Sequence, residues 1–306
     1  MADLLDRKFL IVVGKGGVGK TTTSAALGLA SARRGKRTLI AMANVKERLS
    51  DLFDVKPIGS EIVRIAPNLD AVNMDPKIAL EEYGLMVLKV RALYKAVFEN
   101  RFVRNFLRGT PGIEAWSMLG KAFFHASPPS GPPDYDMVIL DAPATGHGLD
   151  MLRVPKVIHE VAPPGLLRKE ADRCLEMFQN PREAGTVLVT LAEDMPANET
   201  IELHDALVSE LSMSIAGLVV NRQLPYLFAP EDAQKILDLP SKLAGDTETL
   251  KLARAGRARM LREQVQRESL EKLRAGIPIA PIALPYLFAP EWGRSSVESL
   301  SRAFDG

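Results

Sequence analysis

Short apolar runs recur along the chain between stretches of helical periodicity, at residues 9–13, 37–41, 62–65, 71–73, 137–140, 186–190, 215–220 and 279–284. Runs of this length, nearly free of polar alternation, predict strands buried on both faces. Helices between them predict an α/β fold with a mostly parallel sheet flanked by helices. Ligands of such sheets bind at the carboxyl ends of the strands. Gly14, Asn44, Asp141, Glu193, Asn221 and Pro285 all fall at or just beyond those ends, so one shared site is expected.

Two segments break the alternation. Residues 75–126 and 149–178 are long, helical and rich in large apolar side chains, and together predict an inserted helical subdomain. The sheet domain is then 1–74, 127–148 and 179–306. Pro155 and the pair Pro163-Pro164 are expected to break the second segment, and residues 128–133, with four prolines, to link back into the sheet. Apolar residues of 78–107, with Trp116, Met118, Phe123 and Phe124 behind them, exceed the single stripe one helix needs. Packing inside the subdomain accounts for the surplus; an exposed groove for an apolar partner is the alternative.

The first run is followed by Gly14-Lys15-Gly16-Gly17-Val18-Gly19-Lys20-Thr21 and then by a helix-prone stretch over 22–34. This is the P-loop pattern in its proper strand–loop–helix context. Its glycines let successive backbone N–H groups face phosphate oxygens, and the helix adds its positive end. Gly14, Lys15, Gly16, Gly17, Val18, Gly19, Lys20, Thr21 and Thr22 therefore predict a nucleotide cradle. Lys20 is expected to reach the β- and γ-phosphates and Thr21 to ligate Mg²⁺. A second acid-ended strand, residues 134–141, places Asp141 where a Walker B acid would hold the same ion.

Composition narrows the setting. A net charge of +1 gives no global field toward nucleic acid or anionic membrane. No apolar run approaches spanning length, and residues 1–8 lack a basic-then-apolar signal pattern. Cys174 is the one cysteine, so an intrachain disulfide is excluded. Together these predict a cytoplasmic protein that neither binds nucleic acid nor inserts stably into a membrane. One cysteine per chain also cannot furnish a Cys-x-x-Cys zinc site or the thiolates of an arsenite cage, so neither zinc nor an iron–sulfur cluster is expected. Cys174 itself reads as a small buried apolar residue.

Lys15 makes the P-loop a deviant form with a signature lysine. It resembles a class of ATPases that dimerise face to face across their nucleotides, including arsenite-pump, tail-anchored-protein targeting, partition and division-site ATPases and the nitrogenase iron protein. The resemblance narrows at Asp141-Ala142-Pro143-Ala144-Thr145-Gly146-His147 and the later Leu152-Arg153-Val154-Pro155, which are similar to switch II of the arsenite-pump and tail-anchored-protein targeting ATPases. It implies that Lys15 reaches the nucleotide of the other subunit and that Gly146 senses the γ-phosphate. His147 would be a switch element rather than a catalyst. Pro111-Gly112-Ile113-Glu114 is similar to a motif of the family's helical subdomain. Residues 189–193 with Glu199-Thr200 resemble the family's strand and glutamate beside the nucleotide, which places Glu193 there. Asn221 resembles the asparagine that reads adenine, and Pro285, Tyr286 and Phe288 belong to the adenine-side loop.

One departure bears on chemistry. Asn44 fills the place of the family's switch I aspartate, anchored by Leu49-Ser50-Asp51. An amide positions a water but cannot take its proton. Lys15, Lys20, Asn44 and Asp141 are thus the expected catalytic set, with Thr21 and Asp141 on the metal, and hydrolysis is expected to be slow. Asp51 or Asp54 could stand in for it, but nothing in the spacing argues for either. The resemblance implies an ATP-dependent homodimer, or a heterodimer with a paralogous ATPase, whose helical subdomain handles a protein client or membrane-protein segment. A weakly catalytic subunit paired with an active paralog is the alternative. An arsenite pump is disfavoured by the cysteine count, and a partition or division-site ATPase by the lack of a basic C-terminal helix.

Two features remain. The octapeptide at 224–231 recurs identically at 284–291, each copy following a late strand, which predicts two similar loops on the nucleotide side. Residues 246–273 predict an Arg-rich helix whose mixed charges, including Glu263, Glu268 and Glu271, read as a solvated face.

Overall fold

A computed structural model describes residues 4–88, 112–243, 247–289 and 291–305. Every predicted run is a strand of one sheet. These are β1 (Phe9–Val13), β2 (Thr38–Ala43), β3 (Val63–Ala66), β4 (Leu69–Met74), β5 (Met137–Asp141), β6 (Ala184–Leu191), β7 (Ile215–Gln223) and β8 (Pro281–Pro285). Their order is β3-β4-β2-β5-β1-β6-β7-β8, with β3 alone antiparallel to its neighbour. Parallel pairing brings the carboxyl ends of the other seven strands to one edge. In register, Val12 of β1 lies opposite Asp141 of β5 and Val187 of β6.

Continuous apolar strands are used on both faces. Phe9, Ile11 and Val13 enter a core shared with α4 (Ile113–Ala126), α5 (Thr145–Val161), α6 (Leu166–Gln179) and α7 (Asp194–Leu211). Leu10 and Val12 point the other way, toward α1 (Lys20–Arg33) and α10 (Arg294–Ser301). Each fully buried side chain of this size stabilises the fold by about 1.5–3 kcal/mol. From Thr23 to Ala32 every residue of α1 is buried, all of them small except Leu27 and Leu29. The short α2 (Leu49–Phe53) closes the far side of this layer.

The helices outside the alternation share the sheet's core where they are described. Trp116, Met118 and Phe123 are buried there, and Tyr83 of α3 (Pro76–Leu88) meets the Trp116 ring edge-on at 5.9 Å. That part of the apolar surplus is core. The rest of it, from residue 89 to 107 with Leu93 and Phe102, lies outside the described residues, as does Pro111. Helix α5 runs without interruption across residues 148–149, and Thr145, Gly146 and His147 form its first turn. Pro155 does not break it. The proline costs one backbone bond, roughly 3 kcal/mol, but it sits buried between Val154 and Ile158, whose packing holds the helix straight through. The break falls at Pro163-Pro164, before α6.

A second correction concerns α9 (Glu248–Gly276), which follows the short α8 (Ala233–Asp238). Glu263 is not on a solvated face but fully buried. Its carboxylate accepts the backbone N–H groups of Leu227 and Phe228 at 2.9 and 3.4 Å and the Arg259 guanidinium at 2.8 Å. Burial pushes its pKa up, but these hydrogen bonds outweigh that and hold it below the usual value. Gln266 pairs with Leu224 in both directions, at 2.9 Å each way. Arg267 lies over the Tyr226 ring at 4.5 Å. The first octapeptide copy is thereby fastened to α9. The second leaves the sheet at the same edge, where the exposed Tyr286 and Phe288 rings meet at a tilt, 4.7 Å between centroids. Equal sequences differ here because only the first copy faces α9.

Glu263→Ala is expected to lower stability by roughly 3 kcal/mol, because two arginines and two backbone donors lose their acceptor together. Glu263→Gln, which keeps an acceptor, should cost less. Urea unfolding of the three proteins checks the order.

Candidate nucleotide site

The loop between β1 and α1 is shaped by contacts that only glycine allows. A Cβ on Gly14 would lie 2.2 Å from the Val189 carbonyl oxygen of β6, and Gly19 holds φ +97° immediately before the first turn of α1. The N-terminus of a 14-residue helix therefore opens directly onto the loop. Asn221, buried on β7, donates to the Val18 carbonyl at 2.9 Å and ties the loop's far side. Gly16 abuts switch II, where its Cβ would stand 3.7 Å from that of Ala144.

Lys20 folds back on its own loop, donating to the carbonyls of Gly14 and Lys15 at 3.1 and 3.2 Å. Burial lowers its pKa while Asp141 partly restores it. Thr21 Oγ1 donates to Asp141 Oδ2 at 2.6 Å. Asp141 is wholly buried, and its Oδ1 has no hydrogen-bond partner. Desolvation pushes its carboxyl up to about 6, against the opposing pull of Thr21 and Lys20. A buried carboxylate with one unmet oxygen beside a threonine hydroxyl is a donor set that fits a hard divalent cation such as Mg²⁺.

Lys15 points elsewhere. Its ammonium is 2.5 Å from Glu199 Oε1 on α7. Of the two glutamates in that segment, Glu199 touches the loop, whereas Glu193 is exposed at the helix start. Glu199 stands six positions beyond Glu193, on the helix that follows the strand beside β1. That placement was available in the sequence, but the pairing with Lys15 was not.

The structure thus brings Gly14, Lys15, Gly16, Val18, Gly19, Lys20, Thr21, Asp141 and Asn221 together. Gly17 and Thr22 complete the loop and the first turn of α1. Asn44 follows β2 with φ 51° and an exposed side chain, and the turn around it is held by Asn73, which donates to the Val45 carbonyl at 3.0 Å. Gly146 and His147 are exposed in the first turn of α5. Pro285, Tyr286 and Phe288 share the carboxyl edge, with Tyr286 N–H bonded to the Gln223 carbonyl at 2.9 Å, but contact no loop residue through a hydrogen bond.

A P-loop closed by a buried strand-end acid defines a nucleoside-triphosphate hydrolase of the P-loop fold. Residues 7–163, just over half of the chain, match the family model described as Anion-transporting ATPase, and the chain belongs to that family. It is 29% identical over 279 residues to the ATPase BagA of Mycobacterium tuberculosis, covering 87% of this chain and 82% of that protein. It is also 29% identical over 240 residues to a putative arsenical pump-driving ATPase of Halobacterium salinarum, with 72% of this chain and 36% of that one covered. Similarity to an ATPase ASNA1 homolog of Paramecium tetraurelia reaches 34% over 155 residues, 50% of this chain and 45% of the relative. The chain is an ATPase.

The raised Asp141 carboxyl sets a pH dependence. A carboxyl with a folded pKa near 6 favours its protonated form in the fold, so its contribution is full below about 4 and is lost as pH rises through 6. In the nucleotide- and metal-free chain, Asp141→Asn should gain stability relative to wild type over that window, by roughly 3 kcal/mol at most. Urea unfolding of both proteins at pH 4.5 and 7.5 measures the difference.

Proposed function

We propose that the chain is a magnesium- and ATP-dependent dimeric switch that acts on a protein partner or an apolar membrane segment. The observation that carries this reading is a complete P-loop that holds two lysines with separate duties. Lys20 donates to loop carbonyls, which phosphate oxygens would replace as its acceptors, while the Lys15 side chain is turned to Glu199. Lys15 is thus free of the cis phosphate site, as a residue serving a facing subunit should be.

Thr21 and Asp141 would hold Mg²⁺, which when bound neutralises charge on the phosphates. Backbone N–H groups of 14–19 and the α1 terminus receive the phosphate oxygens. Asn221 and the loop at Pro285, Tyr286 and Phe288 stand on the side we assign to the base. Glu193 is assigned to the nucleotide's surroundings by the family likeness. Gly146, in the first turn of α5, would pass the state of the γ-phosphate to that helix. Because α5 shares a core with α3, α4 and α6, its movement would reach α3. We assign the segment 78–107, of which 89–107 lies outside the described residues, to the client. No helix among the described residues is long and apolar enough to cross a membrane, in keeping with a cytoplasmic protein that meets membrane segments as cargo. The arsenical substrate named for the Halobacterium relative is not transferred here, since the one cysteine of this chain is buried in the core.

Asn44 favours a second reading, a subunit that binds ATP and hydrolyses it weakly beside an active paralog. Asn44→Asp restores a proton acceptor and should raise kcat by about 10²-fold or more, the worth of a general base. Single-turnover hydrolysis measures it, and an unchanged rate would show that Asn44 does not meet the attacking water.

Light scattering with a slowly hydrolysed ATP analogue tests the dimer. Wild type should double in mass with nucleotide, and Lys15→Ala should not. Equal behaviour of the two proteins counts against the switch.

A further inference from the structure

We propose that Glu199 is a positioning residue that parks Lys15 in the nucleotide-free chain, so that Lys15 becomes available to a second subunit only after nucleotide has bound. This rests on the dimeric reading above.

Lys15 is tethered at two points. Its ammonium meets Glu199 at 2.5 Å, and its carbonyl accepts the ammonium of Lys20 at 3.2 Å. The two tethers answer to different events. Phosphates entering the loop draw Lys20 toward themselves, and the Lys15 carbonyl loses its donor. The side-chain tether then stands alone. Both partners are about one-third exposed, at 34 and 33%. A pair of that exposure biases its equilibrium by a factor of about 2 to 5. That is enough to hold Lys15 back at rest, and too little to resist the several charges of a triphosphate presented by a facing subunit.

The anchor is the fixed member of the pair. Pro196, Ala197 and Thr200 are buried around Glu199, and the Thr200 hydroxyl bonds the Pro196 carbonyl at 2.7 Å. Leu203 and Leu207 seat the same helix in the core. No second cation reaches Glu199, and no second anion reaches Lys15, among the described residues. A rigid helix therefore holds a loop lysine whose main chain is released by the nucleotide of its own subunit. The arrangement orders events: filling in cis loosens Lys15, and filling in trans captures it.

Trace acetylation of the full chain without nucleotide, read by mass spectrometry, reports the parking directly. Lys56, exposed and with no ion-pair partner among the described residues, is the internal reference. Lys15 should react about 2- to 5-fold faster in Glu199→Gln than in wild type, with Lys56 unchanged. Glu199→Asp, which keeps the charge, should return Lys15 toward the wild-type rate, as a purely structural role of the side chain would not. Light scattering should then show Glu199→Gln dimerising at an analogue concentration lower by a similar factor. Equal Lys15 labelling in all three proteins overturns the parking. Faster labelling with an unmoved dimerisation midpoint overturns the gating. If Lys15→Ala dimerises like wild type, the fault lies in the dimeric reading rather than in the pairing with Glu199.

Discussion

A carboxylate kept out of water at the end of a central strand is the constraint around which the rest is arranged. Asp141 can be buried only because β5 lies between β1 and β2, with helices over both faces. Its cost is met in part by Thr21 and Lys20, so the first turn of α1 has to begin where it does. That in turn requires a loop of glycines, one of which passes within a Cβ's reach of β6. Strand order, helix start and loop composition are thus consequences of housing one charge. The charge remains incompletely satisfied, since Asp141 Oδ1 is buried with no hydrogen-bond partner, which fits the cation-holding role proposed for it.

The sheet was legible in the sequence because strands buried on both faces carry an unbroken apolar signal. The loop was legible because the motif and its context are local. What escaped depends on partners far apart in the chain. Glu263 reads as one more charge on an Arg-rich helix until the backbone of 227–228 is placed against it. Glu199 and Lys15 stand 184 positions apart in the chain, and no spacing rule joins them. Pro155 fails as a helix breaker because the burial of Val154 and Ile158 outweighs a single missing bond. In each case the local rule gives way to a tertiary contact that one dimension does not contain.

The helical layer shows why a nucleotide-dependent change would not stay local. The core that encloses Phe9 and Ile11 also encloses Trp116 and Phe123 of α4, Met151 and Ile158 of α5 and Phe178 of α6. Close packing of this kind resists gradual deformation, so a displacement of the first turn of α5 moves a body of helices rather than a single loop.

Helix α9 adds a mechanical element that neither the loop nor the sheet provides. At 1.5 Å per residue its 29 residues make a rod of about 43 Å. Near its middle Glu263 and Gln266 grip the octapeptide that follows Asn221. Toward its end Lys272 pairs with Asp194, and Gly276 packs closely on Ile201, both on the helix that carries Glu199. The octapeptide loop and the helix carrying Glu199 are therefore held at two points along one rod. They have no freedom to shift separately: a tilt of the rod that moves one must carry the other.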